Sequence, residues 1–277
     1  MKRILILGCG WLAEEFAHLQ LKNMNQVWAT TTTEEKYHRL KNDGIFAYVH
    51  NFDGAINKAS NTIESNPENI LAESLKNFGP FDLILTSIPA TNRNTVEELQ
   101  IRFSNVYSLL SRLEFEQHIF LSSVGIYPDM DGFFDESNHQ TTQLNPKLLM
   151  AEEAMLKLPN THVFRLGGLF GKQRIFAKYF EDRIVQTGDQ PANFIHLEDV
   201  CGVLDQALHK GLKETIYNLV TPEHPLKKEV ILASAEKYGY KKPLGFQPEN
   251  SFQKIVSGNK IAQELNYGFK YPSPLYF

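Results

Sequence analysis

The chain reads as an α/β protein, a doubly wound parallel sheet with a smaller C-terminal α/β lobe. Three features predict this. Between Lys2 and Leu166, short apolar runs alternate with helical patterns, the rhythm of a sheet wound with helices on both faces. The first run, Ile4 to Leu7, is continuously apolar, as in a strand buried on both sides. That run ends in Gly8, Gly10 and Ala13, a Gly-x-Gly-x-x-Ala turn from strand into helix. The rhythm changes after Gly171, which divides the chain into residues 1–170 and 171–277. Segments around 193–220 are expected to return to the main sheet.

Taken in order, the opening turn is the most informative stretch. Gly8 permits a tight bend, Gly10 lets backbone approach a pyrophosphate, and Ala13 lets the helix sit close to the strand. The backbone around Trp11 and Leu12 would present helix N-terminal N–H groups to phosphate. The bland alternative is a turn without a ligand. The position of the motif, after the first buried strand and before the first amphipathic helix, favours a dinucleotide.

Leu12 to Met24 reads as a helix with Leu12, Phe16 and Leu19 inward, and Gln26 to Thr31 as the second strand. At this strand end a Rossmann fold specific for NAD places a carboxylate, and one specific for NADP an arginine. Here Thr31 and Thr32 stand instead. Glu34 and Glu35 come late, and Thr32 with Glu35 forms a capping-box pattern. Threonines do not repel a 2′-phosphate and Lys36 lies close in sequence, so NADP is favoured, with NAD the alternative.

Phe46 to Val49 is a third strand. Asp53 after it either accepts from an adenine amino group or serves as a turn residue. Ala55 to Phe78 is polar and reads as a helix over the sheet edge. Asp82 to Ser87 is the fourth strand, and Ser87 and Ile88 beyond it are expected beside the cofactor. Asn94 to Leu113 is a long helix capped by Asn94, with a stripe of Val96, Leu99, Phe103, Val106, Leu110 and Leu113. His118 to Ser122 is the fifth strand. Asp129 to Asn145 is loop-like, Pro146 opens the next helix, and Thr161 to Leu166 is the sixth strand. Beyond Gly171, Lys172 to Gln186 and Asp199 to His209 read as helices, with Asn193 to His196 a short strand between them. Thr215 to Val220 is a strand and Leu226 to Tyr238 a helix. A short helix lies within the closing Lys254 to Phe277.

Bulk properties narrow the function classes. The 277 residues are 42% apolar and 22% charged, with a net charge of −4. This balance argues against nucleic acid or an anionic membrane as partner. No apolar run approaches a membrane span, and the run behind Met1-Lys2-Arg3 is too short for a signal peptide. The two cysteines, Cys9 and Cys201, form no disulfide framework and fit a reducing cytoplasm. The nine histidines show no metal-ligand spacing, so no metal site is expected.

Several stretches then coincide in order: GCGWLA at the start, FLSSVGIYP after the fifth strand, GFFDE at Gly132 to Glu136, RLGGLFGKQR from Arg165, ANFIHLEDV from Ala192, YNLV from Tyr217, and KIVSGNKIAQELNYGFKYPS from Lys254. With these, nearly the whole chain resembles an atypical extended short-chain dehydrogenase/reductase of the NAD(P)-dependent epimerase/dehydratase superfamily. The resemblance implies a cofactor domain and a substrate domain with the active site between them. It also implies catalysis by a Ser or Thr with a Tyr-x-x-x-Lys pair. Ser123 falls on the serine, four residues before Tyr127. With Glu152 on the family's glutamate, Leu144 falls on the tyrosine and Leu148 on the lysine.

That departure matters chemically. A tyrosine near its ordinary pKa of about 10 is a poor base at neutral pH, and a lysine ammonium beside it corrects this. Leucines cannot. Tyr127 either supplies a phenol from the loop or packs. Lys147 is one position off, about 100° around the helix. Asp199 reads as a helix N-cap, and His196 as a brace between lobes. Arg165 and Arg174 could hold an anionic substrate or the cofactor phosphates, and for Arg165, at a strand end, a structural ion pair is the alternative. Phe133, Phe134, Phe170, Phe176 and Phe180 suit an apolar cleft or plain core packing.

The family's activity implies a small-molecule substrate, a sugar or nucleotide-sugar. The missing pair leaves a second reading, a dinucleotide-binding sensor without turnover. The long Asn94 to Leu113 helix is where such proteins pair as homodimers.

Overall fold

The computed structural model describes residues 1–54, 67–90, 93–137 and 140–276. The first half runs β1 (Arg3–Leu7), α1 (Trp11–Lys22), β2 (Gln26–Thr31), α2 (Glu34–Asn42), β3 (Phe46–Val49), α3 (Pro67–Lys76), β4 (Phe81–Thr86), α4 (Val96–Leu110) and β5 (Phe115–Ser123). Then come β6 (Gly132–Phe134), α5 (Pro146–Met155), β7 (Thr161–Leu166), β8 (Gly168–Phe170), β9 (Ile184–Val185), β10 (Phe194–His196) and α6 (Leu197–Lys210). The chain closes with β11 (Ile216–Leu219), α7 (Lys227–Tyr238), β12 (Gly245–Phe246), β13 (Lys254–Val256) and α8 (Asn259–Leu265). The expected helix over 55–78 is seen from Pro67, and its residues 55–66 lie outside the described residues.

Seven strands form one sheet in the order β11-β7-β5-β4-β1-β2-β3. The pairings of β1 with β2 and β4, β2 with β3, and β4 with β5 are parallel. The order reverses at β1, where β2 and β4 lie on opposite sides. Such a switch point opens a crevice at the carboxyl ends of the strands. Ile4 to Leu7 are fully buried, as the continuous apolar run requires.

The chain folds into two compact units that interleave in sequence. The first comprises Met1–Ser122, Pro146–Val163 and Leu208–Thr215, the second Ser123–Asn145, Phe164–Ala207 and Ile216–Phe277. In the second unit three strand pairs, β8 with β10, β9 with β12 and β6 with β13, are all parallel.

Several local expectations need correction. The N-cap of α2 is Thr33, whose side chain accepts from the Lys36 N–H, one residue later than Thr32. The cap of α4 is Thr95 in a capping box with Glu98, again one residue beyond the expected Asn94. Asn94 instead accepts from Arg102. In the core stripe Leu99, Phe103, Val106, Leu110 and Leu113 are buried, but Val96 in the first turn is exposed. Lys172 to Gln186 is no helix. Lys172 and Asp182 adopt positive φ, which breaks helical continuity for non-glycine residues. A bridge between Gly171 and Arg174 and a single turn at Ala177–Tyr179 take its place. Asp199 does not cap α6, which begins two residues earlier. Its buried carboxylate accepts from the Tyr267 hydroxyl and the amides of Lys270 and Tyr271, so it anchors the C-terminal segment.

Candidate dinucleotide and substrate sites

A cavity of about 430 Å³ opens in the first unit at the ends of β1, β2, β3 and β4. Gly8, Cys9 and Gly10 form its floor, Thr30 to Thr33 and Lys36 one wall, and Asp53, Ser87, Ile88 and Arg102 the remainder. The turn is fixed internally. The Gly8 amide donates to Thr30 Oγ1 at 2.9 Å, and the Cys9 amide to the Thr30 carbonyl at 2.8 Å. The Gly10 amide donates to the Gly8 carbonyl at 2.7 Å. Those amides are committed, so the anion donors narrow to the first turn of α1. Helix geometry leaves the Leu12 and Ala13 N–H groups without intrahelical acceptors, and N-cap Gly10 brings no capping side chain. Leu12 offers only its amide, because its side chain is buried. Trp11, half-buried, opens the same turn.

Whether a dinucleotide fits can be judged from the two glycines. Gly8 has φ +80°, and a β-carbon there would sit 2.9 Å from Ile88 Cγ1, so the protein itself demands glycine. Gly10 is different. Its φ is −79°, and the nearest atom to a built β-carbon is the Gly8 carbonyl oxygen at 3.9 Å. Among the described residues no group requires glycine at position 10, and this residue faces the cavity. A phosphate on the α1 N-terminus would use the space that a side chain at this position would fill. The residues present therefore fit the group.

At the β2 end Thr31 is buried and Thr32 exposed. Glu14 of α1 pairs with Lys36 at 2.9 Å and with both terminal nitrogens of Arg39. Burial pushes the Glu14 carboxyl up, but the hydrogen bonds from Lys36 and Arg39 outweigh it and hold it below the usual range. Lys36, which lines the cavity, thus shares one carboxylate with Arg39. Asp53 accepts from Arg102 Nε at 2.6 Å, and Arg102 also donates to the Pro89 carbonyl at 2.6 Å. Asn51, not Asp53, makes the local Asx turn. Arg102, near-buried on α4, escaped the sequence reading. An arginine beside Phe103 on the apolar stripe was its only signal.

In the second unit Ser123 ends β5, and its Oγ accepts from the Gly125 amide at 3.0 Å. Tyr127 is 2% exposed. Its hydroxyl has two acceptors in reach of its single proton, Asn218 Oδ1 at 2.9 Å and the Asp135 carbonyl at 3.1 Å, and accepts from Arg165 at 2.9 Å. Burial raises its pKa despite the Arg165 guanidinium beside it. Arg165 is itself buried and lies over the Tyr127 ring. Leu144 is buried, and Lys147 donates to the Asn94 carbonyl. His196 stacks against Tyr271 at 3.6 Å between ring centroids and meets Phe170 edge-on, bracing the second unit internally. Burial brings its pKa down to about 4.

A second cavity, of about 540 Å³, lies wholly within this unit. Val124, Gly125, Gly168, Phe194 and Phe252 contribute to its lining, with Lys227 and Lys254. Lys227 carried no sequence signal, and Lys254 only its place at the head of the closing landmark. Among the described residues, Glu14, His18 and Asp43 come within ligand distance of one another. Glu14 is taken by Lys36 and Arg39, and His18 by Asp43. Among the described residues no helix is long and apolar enough to cross a membrane.

No family model matches the chain. It is 28% identical to protein YeeZ of Escherichia coli K12 over 286 aligned positions, covering 99% of this chain and 98% of that protein. The dTDP-glucose 4,6-dehydratase of Bacillus anthracis, solved in complex with NAD, superposes with a TM-score of 0.75 at 14% identity, over 100% of this chain and 94% of that one. The UDP-glucose 4-epimerase of Thermotoga maritima, solved with UDP-glucose, gives 0.75 at 16% identity, over 97% and 94%. The chain thus shares its fold with these two enzymes, a sugar-nucleotide dehydratase and a sugar-nucleotide epimerase.

Proposed function

We propose that the protein binds a nicotinamide dinucleotide, NADP in preference to NAD, and acts on a sugar-like substrate as an atypical epimerase/dehydratase-type enzyme. The observation carrying this reading is Gly10, a cavity-facing glycine that the protein's own packing does not require. The α1 amides and Gly10 would hold the pyrophosphate, Ser87 and Ile88 would flank the nicotinamide side, and Asp53 would meet the adenine. Lys36, beside Thr31 and Thr32, would meet a 2′-phosphate. When bound, the dinucleotide supplies hydride transfer. Ser123 would hydrogen-bond the substrate oxygen from the end of β5. Tyr127 is assigned a structural role.

A second reading has a specific basis. Leu144 and Leu148 stand where the family's proton-transferring pair belongs, which favours a dinucleotide sensor without turnover. Fluorescence titration with NADPH and NADH, followed by reduction of bound NADP⁺ by a panel of sugars and nucleotide-sugars, separates the two. Turnover lost in Ser123→Ala supports the enzyme. Tight binding without turnover supports the sensor, and no binding of either nucleotide overturns both. The reading extends to a cytoplasmic protein, in keeping with two buried cysteines that share no disulfide, and to a homodimer paired through α4.

A further inference from the structure

The charges around the second-unit cavity do not balance. Lys254 is paired with Asp129 and donates to the Tyr127 carbonyl at 3.2 Å. Lys228 is paired with Asp189 at 2.7 Å. Lys227 has no carboxylate within ion-pair distance among the described residues. Its ammonium is steered by an amide, donating to Gln190 Oε1 at 2.6 Å. It also occupies the first position of α7, where the helix dipole disfavours a cation. Burial and the nearby Lys254 press its amine below the ordinary lysine range. A half-buried ammonium at the wrong end of a helix, with spare protons at a cavity, is suited to pair with an anionic group.

The rest of the cavity describes that ligand. Phe194, stacked on Phe176 with centroids 4.6 Å apart, and Phe252 give it aromatic surface. Thr187 and Asn250 bring a hydroxyl and an amide, the mixture that orients a polyhydroxylated ring. We propose that this cavity binds a sugar acid, its single carboxylate paired with Lys227 and its ring held between the aromatic and amide walls. The proposal deepens the sugar-like substrate reading and rests on it. One uncompensated positive charge matches one carboxylate, whereas a diphosphate would leave the pocket with excess negative charge.

The test is calorimetric titration of the full chain with glucuronate, glucose, glucose 6-phosphate and UDP-glucose. Glucuronate is expected to bind about tenfold or more tighter than glucose, the worth of a charge-assisted hydrogen bond. Lys227→Met should bring glucuronate down to the glucose level, and Lys227→Arg should restore most of the difference. Melting temperatures of both variants establish that they fold, and the arginine variant keeps the test valid if the methionine variant does not. Equal affinity for glucose and glucuronate, tighter binding of either phosphate-bearing ligand, or indifference to Lys227→Met would overturn the proposal. NADPH binding is measured on the same samples. Its loss in the unmutated protein indicts the dinucleotide reading, whereas its retention without a glucuronate preference indicts the sugar-acid site alone.

Discussion

Gly8 and Ile88 close on each other at the ends of β1 and β4: a β-carbon built on Gly8 falls 2.9 Å from Ile88 Cγ1 and 3.2 Å from the Ser87 carbonyl oxygen. The Gly8 φ of +80° adds a second objection to any side chain. Gly8→Ala is therefore expected to cost about 2 kcal/mol or more, the left-handed penalty plus the displacement of β4's end. Urea unfolding of the variant, whether or not nucleotide is added, measures it.

Gly10→Ala should behave in the opposite way. The backbone there suits any residue, and only the Gly8 carbonyl oxygen approaches the new methyl, at 3.9 Å. Stability should stay within about 0.5 kcal/mol of the parent. Dinucleotide affinity should fall about tenfold or more, because the methyl occupies the space of a phosphate. Urea unfolding and NADPH titration on one preparation separate the two effects. A variant that binds normally would remove the main support for the dinucleotide site.

These two glycines show what the sequence can carry. Identical letters in one motif have separate physical causes, and only the surroundings distinguish them. The strands of the main sheet were legible because buried parallel strands are written as unbroken apolar runs. The caps of α2 and α4 fell one residue late because the neighbouring threonine and asparagine residues are all residue types that cap helices. The false helix at Lys172 to Gln186 has helical composition, and positive φ at Lys172 and Asp182 leaves no mark in a single sequence. Arg102 and Lys227 were invisible for a related reason. Their significance lies in partners far along the chain, Asp53 and Gln190.

Tyr127 is expected to contribute stability and not proton transfer. Its hydroxyl joins Arg165, Asn218 and the Asp135 carbonyl in a buried cluster. Tyr127→Phe leaves those groups short of a partner, which should cost about 1–3 kcal/mol. Activity per folded molecule, measured well below the variant's melting temperature, should be unchanged. Abolished turnover in a fully folded variant would restore the phenol to the chemistry.

Acidification should act through His118. Burial, then the charge of His162, brings its pKa down to about 3. The ring is satisfied when neutral, by Thr86 at 2.9 Å and Thr161 at 3.0 Å. The unfolded chain takes up a proton near pH 6.5, while the folded one resists until about pH 3. Stability is therefore full above pH 6.5 and falls as the pH drops between those limits, by up to about 1.4 kcal/mol per pH unit. Other groups titrate in the same range, so the useful quantity is a difference. The unfolding free energy of the parent minus that of His118→Gln should shrink from pH 7 to pH 4. A difference that stays constant would mean the folded ring protonates normally.

Lys36 offers the sharpest test of cofactor choice. It lies on the cavity wall beside Thr31 to Thr33, within 2.9 Å of Glu14. Glu14 also holds Arg39, so two cations share one carboxylate and positive charge remains for an incoming group. NADPH and NADH differ there only by the 2′-phosphate, and a charge-assisted hydrogen bond to it is worth about 1.5–3 kcal/mol. Lys36→Ala should thus weaken NADPH about tenfold or more and leave NADH within about twofold. The NADPH preference of the parent should also fade with added salt, because Lys36 is partly exposed. Parallel fluorescence titrations at low and high ionic strength read both effects. If the substitution weakened the two nucleotides equally, Lys36 would be serving a group common to both, and the argument for NADP from this strand end would fail.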